Sequence, residues 1–186
     1  MDRELYEVEK FLSQYGMRLG QNKRMAESLL KQLNRKNIIA RSMRCVYKLD
    51  NFIIKASSDA TGFSLPVGAD QCINEFKIYT SEDERLENFK EILCPVYAIY
   101  ESKFLYLTVH KRLNPIETGT ESDETIYSYI KRGKKFANEE KFFSVLEKFK
   151  KLLVTKSPEL QNEYCKVNSF GYDENKNLYV LDYGML

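Results

Sequence analysis

Three observations predict an α+β fold, with a strand-rich half ahead of a shorter helical half. Short apolar runs of strand character cluster between residues 38 and 113, they come in pairs joined by tight turns, and helical periodicity flanks them on both sides. At 186 residues the chain has room for one domain with a sizeable core, or for two small lobes sharing a cleft.

The elements follow in order. Residues 2–15 set Leu5, Val8, Phe11, Leu12 and Tyr15 at helical spacing, and residues 22–35 do the same with Met25, Leu29, Leu30 and Leu33. Two amphipathic helices joined near Gly16 and Gly20 therefore form an N-terminal extension over residues 1–37. From Ile38 the pattern shifts to strands: residues 43–48, a turn at Leu49, Asp50 and Asn51, then residues 52–56 as the partner of a hairpin. Residues 57–68, rich in Ser, Gly and Asp, read as a loop, and residues 70–79 carry Cys72, Ile73, Phe76 and Tyr79 on one helical face. Residues 96–100 and 104–109 are further strands, turning at residues 101–103.

A strand-rich part over residues 38–113 then gives way to a helical part over residues 114–186, with Asn114 and Pro115 as the candidate hinge. Helices are predicted over residues 123–132 and 139–154, the second burying Phe142, Phe143, Leu146, Phe149 and Leu153. The chain closes on a second hairpin, residues 170–172 and 178–181 about a turn at 173–177.

Composition excludes several functions. Lys and Arg number 29 against 27 Asp and Glu, a net charge of +2, so no overall field draws the protein to a polyanion. Cys45, Cys72, Cys94 and Cys165 are scattered without a CxxC pair, and His110 is the sole histidine, which leaves no Cys/His cluster for zinc. Dispersed cysteines and a charged N-terminus with no apolar run of membrane-spanning length predict a reduced, soluble, cytoplasmic protein.

Three residues stand out chemically. Lys55 ends the apolar run Phe52, Ile53, Ile54, where a charge is costly unless it is paired or faces a polar cleft; snorkelling at a strand end is the alternative. Glu75 lies on the helix that follows, on the side of Cys72, Ile73 and Phe76, where it can meet Lys55 or remain a surface carboxylate. Asp182 follows Leu178, Tyr179, Val180 and Leu181 and precedes Tyr183 and Gly184, a setting that suits a magnesium ligand or an ordinary tight turn.

Taken together, a strand lysine, a helical glutamate, a second strand pair, a long helix and a hairpin ending in Asp-aromatic-Gly form an order that resembles the protein-kinase-like family. The likeness is closer to the compact kinase-like proteins of bacteria and their phages than to eukaryotic signalling enzymes. Phe52-Ile53-Ile54-Lys55 matches the Val-Ala-Ile-Lys element, Ile73-Asn74-Glu75 the helix glutamate, and Asp182-Tyr183-Gly184 the Asp-Phe-Gly element, over residues 43–186. The resemblance implies a minimal two-lobed kinase-like fold, an antiparallel sheet lobe plus a short helical lobe. It also implies ATP and magnesium as cofactors, with Lys55 on the phosphates, Glu75 fixing Lys55 by an ion pair, and Asp182 holding the metal. Residues 107–113 would be the hinge touching the adenine.

The chain also departs from the family. Counted back from the hairpin, the places of the catalytic-loop Asp and Asn fall on Tyr164 and Ser169. A phenol, with an ordinary pKa of about 10, is no carboxylate base at neutral pH, and a hydroxyl is a weaker metal ligand than an amide carbonyl. Glu163 and Asn168, one position away, are the candidates to act as base and second metal ligand in a shifted loop. Residues 35–42 contain no glycine to close backbone amides over phosphates, and the sequence ends at Leu186, where an activation segment would be expected to continue.

The expected function is thus that of a pseudokinase acting as a binding or regulatory module towards a protein partner, in a phage or mobile-element setting. An active small phosphotransferase using ATP and magnesium is the alternative. A nucleic-acid-interacting protein is a further one, using Lys131, Arg132, Lys134, Lys135, Lys141, Lys148, Lys150 and Lys151, although Glu139, Glu140 and Glu147 make that surface mixed in charge. His110 reads as a residue of the hinge region.

Overall fold

The computed structural model describes residues 65–116, 124–154 and 165–184, residues 37–58 apart from 42, 50 and 51, and nine scattered positions among the first 36. The chain divides into two compact units: Met1–Thr80 with Pro95–Arg112, and Ser81–Cys94 with Leu113–Leu186.

In the first unit five strands, β1 (Ile38–Arg41), β2 (Cys45–Lys48), β3 (Phe52–Ser58), β4 (Val96–Glu101) and β5 (Leu105–Lys111), form one antiparallel sheet in the order β1-β2-β3-β5-β4. The pleat sorts its side chains. Tyr47, Ile54, Ala56, Leu107 and Val109 share one face, where the register pairs Tyr47 with Ile54, Ile54 with Val109 and Ala56 with Leu107. That apolar face is closed by Leu30 and Leu33, both buried. The opposite face carries Lys55 opposite Thr108 and Ile53 opposite His110, and helix α1 (Leu65–Thr80) packs over it.

Strand β3 runs two residues past the predicted end because Ser57 and Ser58 are buried and pair with Tyr106 and Leu105. Helix α1 begins five residues earlier than the sequence predicts. Pro66 falls in its first turn, where the missing N–H removes no helical bond. Gly68 lies in its interior because a Cβ there would stand 2.3 Å from Ser57 Oγ and 2.5 Å from the Met43 carbonyl oxygen. The predicted helices over residues 2–15 and 22–35 fall mainly outside the described residues, and the positions described there are helical.

The second unit is built around helix α4 (Glu139–Val154), whose bounds agree with the sequence prediction. Its apolar stripe buries Phe142, Leu146 and Phe149, Phe143 is half-buried, and the side chain of Leu153 lies outside the described residues. Phe149 packs on Phe89 of the short helix α2 (Glu84–Lys90), ring centroids 5.1 Å apart. Helix α3 (Ile126–Lys131) starts at Thr125, whose side chain accepts from the Ser128 amide at 3.2 Å. Asn114 and Pro115, predicted as a hinge, form the short strand β6, paired with β7 (Phe170–Tyr172), which pairs in turn with β8 (Leu178–Val180). Asn138 brackets β8, its Oδ1 accepting from the Leu178 amide at 2.7 Å and its Nδ2 donating to the Leu178 carbonyl at 3.2 Å.

Residues 81–94, expected in the strand-rich part, belong to the second unit. The Cys94 amide donates to the Val180 carbonyl at 2.9 Å and the Val180 amide to the Ile92 carbonyl at 2.7 Å, so this segment extends the β8 edge. Among the described residues no helix is long and apolar enough to cross a membrane.

Candidate functional site

The first unit gathers its buried charged side chains on the polar face of the sheet. Alternation along β3 turns Ile54 and Ala56 into the apolar core and Lys55 towards α1; the same alternation along β5 turns Thr108 and His110 that way. On α1, Gly68, Cys72 and Glu75 recur at intervals of four and three and so lie along one stripe of the helix. Lys55 Nζ donates to Glu75 Oε1 at 2.7 Å. Glu75 has no exposed surface, against the ordinary preference of glutamate for water, and Lys55 is only 7% exposed.

The carboxylate has a second cationic partner. Arg44, in the bend between β1 and β2, places Nη1 2.6 Å from Glu75 Oε2 and Nη2 3.0 Å from Oε1, a side-on fork across both oxygens. His110 Nε2 stands 3.5 Å from Glu75 Oε2 and 2.8 Å from Thr108 Oγ1, and Cys72 Sγ lies 3.9 Å from the Lys55 carbonyl oxygen. Burial alone would push the Glu75 carboxyl up; the charges and hydrogen bonds of Arg44 and then Lys55 more than reverse this and hold it at about 2. The Cys72 thiol moves the other way, raised chiefly by its burial, which makes it a poor nucleophile.

Lys55 and Glu75 are therefore brought together. Arg44, Thr108 and His110 complete the cluster; the sequence carries no expectation for Arg44, and it offers Thr108 and His110 only as part of the adenine-contact segment 107–113, not as neighbours of Glu75. His110 is not merely a residue of a connecting segment: it sits within β5, 1% exposed, and shares the Lys55 face. A signal for it existed, since two-residue periodicity along β5 puts Thr108 and His110 on the face of Lys55. Arg44 left no comparable trace, because it lies in a bend and its partner is 31 positions away. Of the adenine-contact candidates, Leu107 and Val109 belong to the opposite, apolar face.

Asp182 belongs to the second unit. It follows β8 at an exposed position, while the next residue, Tyr183, is wholly buried and donates its hydroxyl to the Cys94 carbonyl at 2.7 Å. The Leu181 amide donates to the Ser169 carbonyl at 2.8 Å, which ties the turn Val167–Ser169 to the segment entering Asp182. Asn168 is an exposed residue of that turn. Asp182 and Asn168 thus offer hard oxygen donors on two backbone segments joined by a hydrogen bond, chemistry that fits a magnesium ion. Among the described residues no three His, Cys, Asp or Glu side chains gather as a ligand set. Glu163 and Tyr164 lie outside the described residues.

The basic surface is partly neutralised. Arg132 pairs with Glu124 at 2.6 Å, Lys141 with Glu91, and Lys150 with Glu147 at 3.1 Å. Lys131, Lys134, Lys135, Lys148 and Lys151 are exposed. Tyr127, over whose ring the Lys150 ammonium sits, is pushed up to about 12 by burial and by its hydrogen bond to Glu147.

No protein-family model and no curated protein sequence matches this chain.

Proposed function

We propose that the protein is a minimal kinase-like module of the two-lobed type, which engages a protein partner instead of transferring a phosphoryl group. The observation that carries the kinase-like part of this reading is the buried Lys55–Glu75 pair, whose carboxylate is also forked by Arg44. A helix glutamate held by two cations, one from a bend and one from a strand, is a fixed structural member. Further support comes from the order β1-β2-β3-α1-β4-β5 within the first unit, α2 of the second unit intervening in the chain between α1 and β4, with the lysine on the third strand and the glutamate on the helix after it, as expected of the sheet lobe in that family. Asp182 and Asn168 are the residues that would hold magnesium, which when bound neutralises charge across nucleotide phosphates. Tyr164 and Ser169 stand where the catalytic carboxylate and the amide are expected, which argues for binding over catalysis. Ile39, Met43 and Val67, each about half exposed, supply apolar surface for a partner to cover.

The test is ADP release with millimolar ATP and magnesium. The expected result is no release above buffer. Magnesium-dependent transfer that disappears in both Lys55→Ala and Asp182→Asn overturns the proposal in favour of an active phosphotransferase.

A further inference from the structure

We infer that the turn between β1 and β2 is a clasp on helix α1, and that Arg44, rather than Lys55, is the residue that positions Glu75. Two independent contacts join this turn to one stripe of the helix. At the first, Gly68 approaches so closely that a Cβ would lie 2.5 Å from the Met43 carbonyl oxygen. At the second, seven residues and about two helical turns further on, the next residue of the same turn, Arg44, forks onto Glu75. Glycine removes the steric barrier at one end, and the guanidinium supplies the attraction at the other.

Arg44 and Lys55 do not contribute equally. Among the described residues, Arg44 makes two short contacts to the carboxylate, one to each oxygen, and its planar fork fixes the orientation of the group; Lys55 bonds Oε1 from a flexible stem. Losing Lys55 leaves Glu75 neutralised and bidentately held. Losing Arg44 leaves one oxygen without its closest donor in a site from which water is excluded. The helix accordingly stays seated when Lys55 is lost.

This inference rests on the proposed binding role only for its meaning. Phosphoryl transfer would refute that role and leave the clasp standing, whereas the measurements below bear on the clasp alone. In the full chain, the Glu75 carboxyl is titrated by carbon-13 NMR and exchange of the α1 amides is followed, for the parent, Lys55→Met, Arg44→Met and Arg44→Lys. Lys55→Met is expected to keep the carboxyl below the ordinary glutamate range and to leave α1 exchange close to the parent. Arg44→Met is expected to bring the carboxyl up to or above the ordinary range. It should also speed exchange by at least about tenfold, the loss that goes with a hydrogen bond to a charged group. Arg44→Lys should fall between, because an ammonium restores the charge without the fork. The clasp is overturned if Lys55→Met raises the carboxyl and loosens α1 as much as the Arg44 variants do. Should Arg44→Met not fold, Arg44→Lys against Lys55→Met decides: the larger change in Arg44→Lys supports the clasp, and the larger change in Lys55→Met refutes it.

Discussion

Replacing Glu75 by Gln keeps the shape of the side chain and one acceptor oxygen but removes the negative charge between Arg44 and Lys55. Both cations are almost wholly buried, so water cannot substitute for the carboxylate. Breaking a buried ion pair from one side typically costs ~3–5 kcal/mol. A second route gives a similar figure. Glu75 is held at about 2 against an ordinary 4.5, a difference equivalent to about 3 kcal/mol of stability that depends on its ionisation. Because its folded-state value is depressed, this contribution is fully present above pH 4.5 and is lost as the pH falls through 2. Urea denaturation followed by circular dichroism, at neutral pH and at steps down to the acid limit, measures both effects. The Gln variant should lose about 3 kcal/mol or more at neutral pH and show a flatter acid limb than the parent over the same window. A loss below about 1 kcal/mol, the value of an exposed pair, or an acid limb as steep as that of the parent, would refute the argument that this carboxylate is an ionised, buried member of the fold.

Two smaller changes test the packing on each unit. Gly68→Ala should destabilise by ~1–3 kcal/mol in the same assay, although alanine is the better helix former, because the Met43 carbonyl oxygen, a backbone atom, stands in the way; a stabilised variant would contradict the close approach. Tyr183→Phe should cost ~1 kcal/mol through loss of the buried bond to the Cys94 carbonyl, and no measurable change would show that this bond does not anchor the turn at Asp182.

The parts of the fold legible in the sequence are those where one periodicity dominates. Helix α4 repeats its aromatic residues at a helical interval along one stripe, and the hairpin of β7 and β8 is marked by the Asp- and Asn-rich turn between two apolar runs. Within that turn Asp173 accepts from the amides of Asn175 and Asn177. The start of α1 was obscured because Pro66 and Gly68, usually punctuation, serve as a first-turn residue and a contact residue. Helix α2 is seven residues, four of them charged, and too short to show a stripe. At the site, the lysine and the glutamate were visible as charges in apolar surroundings. Their depth was not, since burial of Glu75 depends on Arg44, and no local pattern links a residue in a bend to a helix 31 positions later.

The division of the chain into units also bears on its synthesis and dissection. The polypeptide passes from one unit to the other at residues 80–81, 94–95 and 112–113, so neither unit is a contiguous stretch of sequence. The strand-rich unit is not complete until residue 112 has been made. The other must hold its first fourteen residues, 81–94, until Val180 and Tyr183 arrive, the latter 89 positions beyond its acceptor at Cys94. Such late closure across a long sequence separation slows folding. A single cut at any of the three crossings orphans part of a core, so that separating the units by genetic means requires splicing out residues 81–94 and rejoining Thr80 to Pro95, not truncation.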